Sequence, residues 1–165
     1  MENSNIHLCK MTTVLAKEYF QNFTHDPDVF MDGQKFRVKF RVFVYSDSHA
    51  EQMVQRQEQL NRVYLAIMLY ERPIGEIVLK KIHQPENSCT LGIHLQNDSV
   101  KNKGYGTQAE RLALRYVFEE LGLKTVYADA LRKNTRSQHV LQKVGFQKIQ
   151  EDESFVFYRY DRSDA

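Results

Sequence analysis

The chain has 165 residues, a formal net charge of +2, 42% hydrophobic residues and 27% charged residues. That length fits one domain with a full core, and the balance excludes disordered, collagen-like and mucin-like chains. Only 2 cysteines are present, too few for a disulfide framework, and the 6 histidines show no helical ligand spacing, so no metal site is expected. Met1 to Asn5 has neither the basic nor the apolar region of a secretory leader. The longest apolar run, Tyr64 to Tyr70, is too short to span a membrane, so the expected compartment is the cytoplasm.

Met11 to Phe23 reads as a helix with a partly apolar stripe of Val14, Leu15, Tyr19 and Phe23. Turn signals follow at Asp26-Pro27-Asp28 and Asp32-Gly33. Phe36 to Val44 alternates apolar and basic residues, as an edge strand or arm would. Ser46 to Arg62 reads as a surface helix capped near Ser48. Tyr64 to Tyr70 and Pro73 to Lys80 are apolar runs separated by Glu71-Arg72, which predicts an antiparallel hairpin. Ser88 to Gln96 is a third strand and Lys101 to Gly106 a loop. Thr107 to Leu121 is a strong helix with Ala109, Leu112, Ala113, Tyr116 and Val117 as its buried stripe, a Thr107/Glu110 capping box and a Gly122 stop. Thr125 to Leu131 is a strand, Asn134 caps a helix that ends at Gly145, and Phe155 to Tyr160 is the last strand. The sum is a mixed α/β domain with an antiparallel start and a strand–helix–strand second half.

The positive field is concentrated: residues 101–148 carry +6, in a half of the chain without proline, which suits a phosphate-rich ligand. Within it, the loop Lys101-Asn102-Lys103-Gly104-Tyr105-Gly106 runs straight into a helix. Glycines let backbone N–H groups approach a ligand closely, and the first helical turn adds unpaired donors with partial positive charge. Together they make a cradle for a pyrophosphate, with Lys101 and Lys103 at the rim. The loop lacks the Gly-Lys-Ser/Thr of a Walker loop and the third glycine of the dinucleotide fingerprint.

The strand Thr90 to Leu95, the loop 101–106 with Thr107 and Ala109, the pair Asn134 and Ser137, and Lys143-Val144-Gly145-Phe146 together resemble the GCN5-related N-acetyltransferases (GNAT). The branch they resemble includes the ribosomal-protein-alanine and spermidine N-acetyltransferases. The resemblance implies one domain over 1–165, with 1–63 on the acceptor side and 64–160 forming the core sheet and the acetyl-CoA site. The implied fold is a central, mostly antiparallel sheet splayed in a V and flanked by helices. Acetyl-CoA would lie between the strands at 88–96 and 125–131. Its pyrophosphate would sit on backbone from Lys101 to Thr107, through Asn102, Lys103, Gly104, Tyr105 and Gly106. Its pantetheine arm would pair with His94, Leu95 and Gln96, with Asn134 and Ser137 on the far side. An amine would then attack the thioester directly, with a backbone N–H near Leu95 stabilising the oxyanion.

The base candidates are Glu76, His94 and Tyr158. Many members carry a Tyr seven residues after the Asn to protonate the leaving thiolate. Here that position is Leu141, leaving water or the Ser137 hydroxyl as substitutes. The implied activity is acyl transfer to a small amine, a polyamine or a protein N-terminus. The alternative is a catalytically weak or silent acyl-CoA-binding domain. Acidic residues Asp26, Asp28, Asp32, Asp47 and Glu51 in the first half favour a cationic acceptor. No membrane partner is expected from the short apolar runs, and no nucleic acid is expected because Tyr116 on the buried stripe spoils a base-stacking platform with Tyr105 and Tyr127. A homodimer is left open.

Overall fold

The computed structural model describes residues 5–24, 46–83 and 86–163. The proposed arm at 36–44, the turns at 26–33, and Asp26, Asp28 and Asp32 lie outside them. In chain order the elements are β1 (Ile6–Lys10), α1 (Thr13–Gln21), α2 (Asp47–Gln59), β2 (Val63–Leu69), β3 (Arg72–His83) and β4 (Ser88–Leu95). They continue with α3 (Tyr105–Arg115), a π-helical turn at Tyr116–Glu120, β5 (Thr125–Leu131), α4 (Thr135–Val144), β6 (Gln147–Glu151) and β7 (Phe155–Asp161). The seven strands form one sheet in the order β1-β2-β3-β4-β5-β7-β6.

The sheet is mostly antiparallel. β2 and β3 form the hairpin that the two apolar runs predict, with Leu65 opposite Ile77 and Ala66 opposite Glu76. Among the described residues β4 and β5 are the one parallel pair, joined by α3 as a crossover must be. Alternation along β2 and β3 divides the interior in two. Leu65, Ile67, Ile77 and Leu79 join the core shared with α3 and α4. Tyr64, Ala66 and Met68 join the smaller core under α1 and α2, with Tyr19, Phe20, Ala50 and Val54.

Local chemistry sets the helix starts. The Thr12 hydroxyl accepts from Leu15 N at 3.2 Å, and that of Ser46, rather than Ser48, accepts from His49 N at 3.1 Å. The Thr107/Glu110 capping box is not formed. α3 begins two residues earlier, behind Gly104 in a left-handed conformation (φ 82°), so Thr107 and Glu110 both turn inward and are buried. Two strands escape the sequence reading. β1 is five residues long, and β6 (Gln-Lys-Ile-Gln-Glu) is an exposed edge with no apolar face to announce it.

Candidate active site

The ladder between β4 and β5 runs only from Ser88/Thr125 to Leu91/Ala128. Both strands continue, β4 to Leu95 and β5 to Leu131, so they part beyond that point. The edge of β4 from Gly92 to Leu95 that turns towards β5 therefore has no strand partner. A cavity of about 100 Å³ opens in the gap. It is lined by Lys80, Thr90, Gly92 and His94 from one face of the sheet, and by Leu91, Ile93, Glu110 and Leu141 from the other. Asp129, Asn134 and Ser137 complete its far wall. The gap thus reaches both layers of the molecule.

On the α1/α2 face, His94 stands directly across the strand pair from Glu76. Glu76 is 5% exposed and its Oε1 accepts a hydrogen bond from the Tyr64 hydroxyl at 3.2 Å. The Tyr19 hydroxyl is buried beside the same carboxyl, without a hydrogen bond of good geometry. Burial pushes the Glu76 carboxyl above the usual range, and His94, Tyr19 and Tyr64 pull it back. Burial also raises the Tyr64 phenol. His94 lines the cavity and Glu76 stands behind it.

On the other face lies the loop into α3. Asn102 and Gly104 both have positive φ, 61° and 82°. Gly104 gives no side-chain cap, so no side chain competes for the first-turn N–H groups. A Cβ placed on Gly106 would meet nothing nearer than Leu95 Cδ1 at 3.9 Å, so the space over that turn is open. The residues fit a pyrophosphate here: positive backbone dipoles, clearance and exposed Lys103. Lys101 is less available than its sequence position suggests, because its ammonium pairs with Asp98 at 3.4 Å and is mostly covered.

Two sequence candidates, Gln96 and Tyr158, are placed differently from the expectation. Gln96 is buried, its Nε2 donates to the Tyr19 carbonyl at 2.8 Å, its N donates to the Ile74 carbonyl and its carbonyl accepts from Thr24 N. Its polar groups are thus committed, and of the three backbone candidates only Leu95 turns its N–H and C=O to the unpaired edge, since His94, like Gln96, turns its backbone groups to β3. Tyr158 is 1% exposed in the larger core, where its hydroxyl accepts from Gln142 Nε2 at 3.5 Å, and it does not line the cavity. Asn134 caps α4 through Oδ1, accepting from Ser137 N at 3.1 Å. It and Ser137 still border the cavity.

The residue that sequence reasoning misassigned is Glu110. As a capping-box member it would face solvent. It is instead 1% exposed, borders the cavity, and its Oε2 is buried without a hydrogen-bond partner. Burial raises its pKa from 4.5 to about 8. Its place in the stripe was legible, since position 110 falls one residue after the apolar Ala109 and three before Ala113.

Residues 6–147 match the family model described as an acetyltransferase (GNAT) domain. Over 107 residues the chain is 27% identical to the uncharacterized N-acetyltransferase YnaD of Bacillus subtilis, covering 64% of this chain and 62% of YnaD. The chain thus spans less than two thirds of that relative. Its fold is similar to that of a ribosomal-protein-S5-alanine acetyltransferase from Vibrio fischeri, with a TM-score of 0.70, 16% identity and coverage of 99% and 97% of the two chains. It is also similar to a chimera of the spermidine N-acetyltransferase SpeG from Vibrio cholerae and hSSAT, with a TM-score of 0.75, 15% identity and 96% coverage of each.

Proposed function

From the premise that this chain belongs to the GNAT acetyltransferase family, we propose that it transfers the acetyl group of acetyl-CoA to a primary amine. The observation that carries the reading is the gap between β4 and β5, which reaches both faces of the sheet beside an open helix N-terminus. One side accommodates the CoA chain and the other admits an amine.

Backbone from Lys101 to Thr107 holds the pyrophosphate, with the clearance over Gly106 and the charge of Lys103 in support. The unpaired edge of β4, at Ile93 and Leu95 on either side of His94, pairs with the amide-bearing arm as a strand would. Asn134 and Ser137 border the arm's other side. Bound there, acetyl-CoA supplies an activated acyl carbon. A backbone N–H near Leu95 meets the charge that develops on its oxygen. His94 takes the proton from the attacking nitrogen, because it borders the cavity and Glu76 does not. Glu76 is the buried counter-charge behind the imidazolium, oriented by Tyr64.

The acceptor is a cationic amine: a polyamine, a small amine or a protein N-terminus. The names of the fold neighbours fit the first and last of these. Asp47 and Glu51 at the start of α2 lie on that side, although Glu51 is paired with Lys17 at 3.2 Å. The silent acyl-CoA-binding reading rests on Leu141, which is buried and supplies no proton.

Melting with and without acetyl-CoA tests the binding. Ligand at 100 times its Kd stabilises by about 2.7 kcal/mol. No shift at millimolar acetyl-CoA would sink both readings. Thiol release across polyamines, amino acids, aminoglycosides and peptide N-termini then separates them, since turnover with any amine removes the silent one.

A further inference from the structure

Acyl transfer needs an acid as well as a base, because the sulfur leaves as a thiolate. The cavity wall built by α4 offers the apolar Leu141 where that acid is needed, with Ser137 the hydroxyl that this helix brings to the cavity. The opposite helix carries a carboxyl. Glu110 lies one turn beyond Gly106 in α3, which packs across β1 and β4. It borders the same cavity as Leu141 and His94, and its Oε2 has no partner in the protein. Unpartnered buried carboxyls are rare in cores, because the group loses its hydrogen bonds to water and gains none in return.

Resting on the acyl-transfer reading above, we propose that Glu110 is the general acid of the reaction, giving its carboxyl proton to the departing sulfur. The faces divide the labour. His94 and Glu76 stand towards α1 and α2, where the amine enters, and Glu110 stands towards α3 and α4, on the side of the phosphate cradle. The ammonium first loses one proton to solvent, the neutral nitrogen then bonds to the acyl carbon, and the surplus proton it still carries passes to His94. The carbon–sulfur bond breaks as the carbonyl re-forms, its electron pair goes to sulfur, and Glu110 protonates that sulfur. His94 is left cationic and Glu110 anionic. A proton passed between them through solvent restores both.

Burial sets the carboxyl near pKa 8, so it holds its proton at neutral pH. A thiol's ordinary value is about 8.5, so acid and leaving group are matched. The other charged or titratable groups around the cavity are Lys80 from β3, His94 from β4 and Asp129 from β5. On the cavity side α4 presents Asn134, Ser137 and Leu141, none of which titrates near neutrality. β1 turns Ile6 and Leu8 towards α3, with Lys10 at its exposed end.

The test compares Glu110→Gln, which keeps the shape and loses the transferable proton, with Glu110→Leu, which removes the polar group. Acetyl-CoA protection against melting and the KM for acetyl-CoA stay close to those of the unmodified protein in both. The kcat falls by about two to four orders of magnitude. In the unmodified protein kcat declines as pH rises through about 8, and in Glu110→Gln that alkaline limb is lost. A kcat within about twofold of the parent, with normal binding, overturns the acid role and leaves the acyl-CoA reading intact. Binding without thiol release from any amine in the panel also overturns it. No acetyl-CoA protection of the unmodified protein overturns both.

Discussion

Two buried carboxyls flank one cavity, Glu110 in its lining and Glu76 behind His94, and their surroundings differ. Glu76 is supported by the Tyr64 hydroxyl and by His94, whereas Glu110 Oε2 has nothing. Burial is therefore the one cause acting on Glu110 and raises it to about 8. The raised value has a consequence for stability with a definite sign. Between about 4.5 and 8 the folded protein keeps a proton at Glu110 that the unfolded chain gives up. Stability thus falls as pH rises through that window, by at most about 1.4 kcal/mol per unit from this group. Glu110→Gln removes that slope. Urea unfolding of parent and variant from pH 5 to 9 should show curves that converge at the acid end, with the parent losing ground towards pH 8. Parallel curves would mean that the carboxyl titrates normally.

At the scale of elements, β4, the glycine loop before α3 and the start of α4 were legible in the sequence because their chemistry is local. The apolar run at Ser88 to Leu95, the Gly104/Gly106 spacing and the Asn134 cap are each visible in a few neighbouring residues. What stayed hidden depends on partners far along the chain. β1 is a strand because it pairs with β2, with Ile6 opposite Leu69, and five residues carry too little pattern to show it. Glu110 reads as a cap from spacing alone and becomes a cavity residue once Gly104 starts the helix early. Gly75 is similar. Its sequence says only strand glycine, yet a Cβ there would lie 2.7 Å from Ile67 Cδ1 and 2.8 Å from the His94 carbonyl oxygen. Backbone cannot yield as a side-chain tip can, so Gly75→Ala should destabilise by about 1–3 kcal/mol and displace His94. Gly106 is the opposite case, with clearance in the folded protein. Gly106→Val should fold, apart from about 0.5 kcal/mol of changed helix propensity, and lose acetyl-CoA protection against melting. Equal melting shifts in parent and Gly106→Val would place the cradle elsewhere.

For the whole molecule, the parting of β4 from β5 joins two cores that the sheet otherwise keeps separate. The larger core lies beside the glycine loop and Glu110, and the smaller one beside Tyr19, Tyr64 and the Glu76 carboxyl. Binding in the gap would supply the ladder that β4 lacks beyond Leu91, so its effect on the backbone should be confined. Amide exchange is slowed by new hydrogen bonds and reports opening segment by segment. Acetyl-CoA should therefore slow exchange at Gly92 to Leu95 on the open edge of β4 and at Lys101 to Thr107 in the loop. The paired stretch Ser88 to Leu91 and the β2–β3 hairpin, already hydrogen-bonded on both sides or deep in the sheet, should change little. The comparison is made by mass spectrometry at peptide resolution, on the intact chain, at saturating ligand. Uniform slowing across all seven strands would indicate global stabilisation by a site elsewhere. Slowing confined to those two segments would fix the cleft as the acyl-CoA channel, and Glu110 as a residue that faces it.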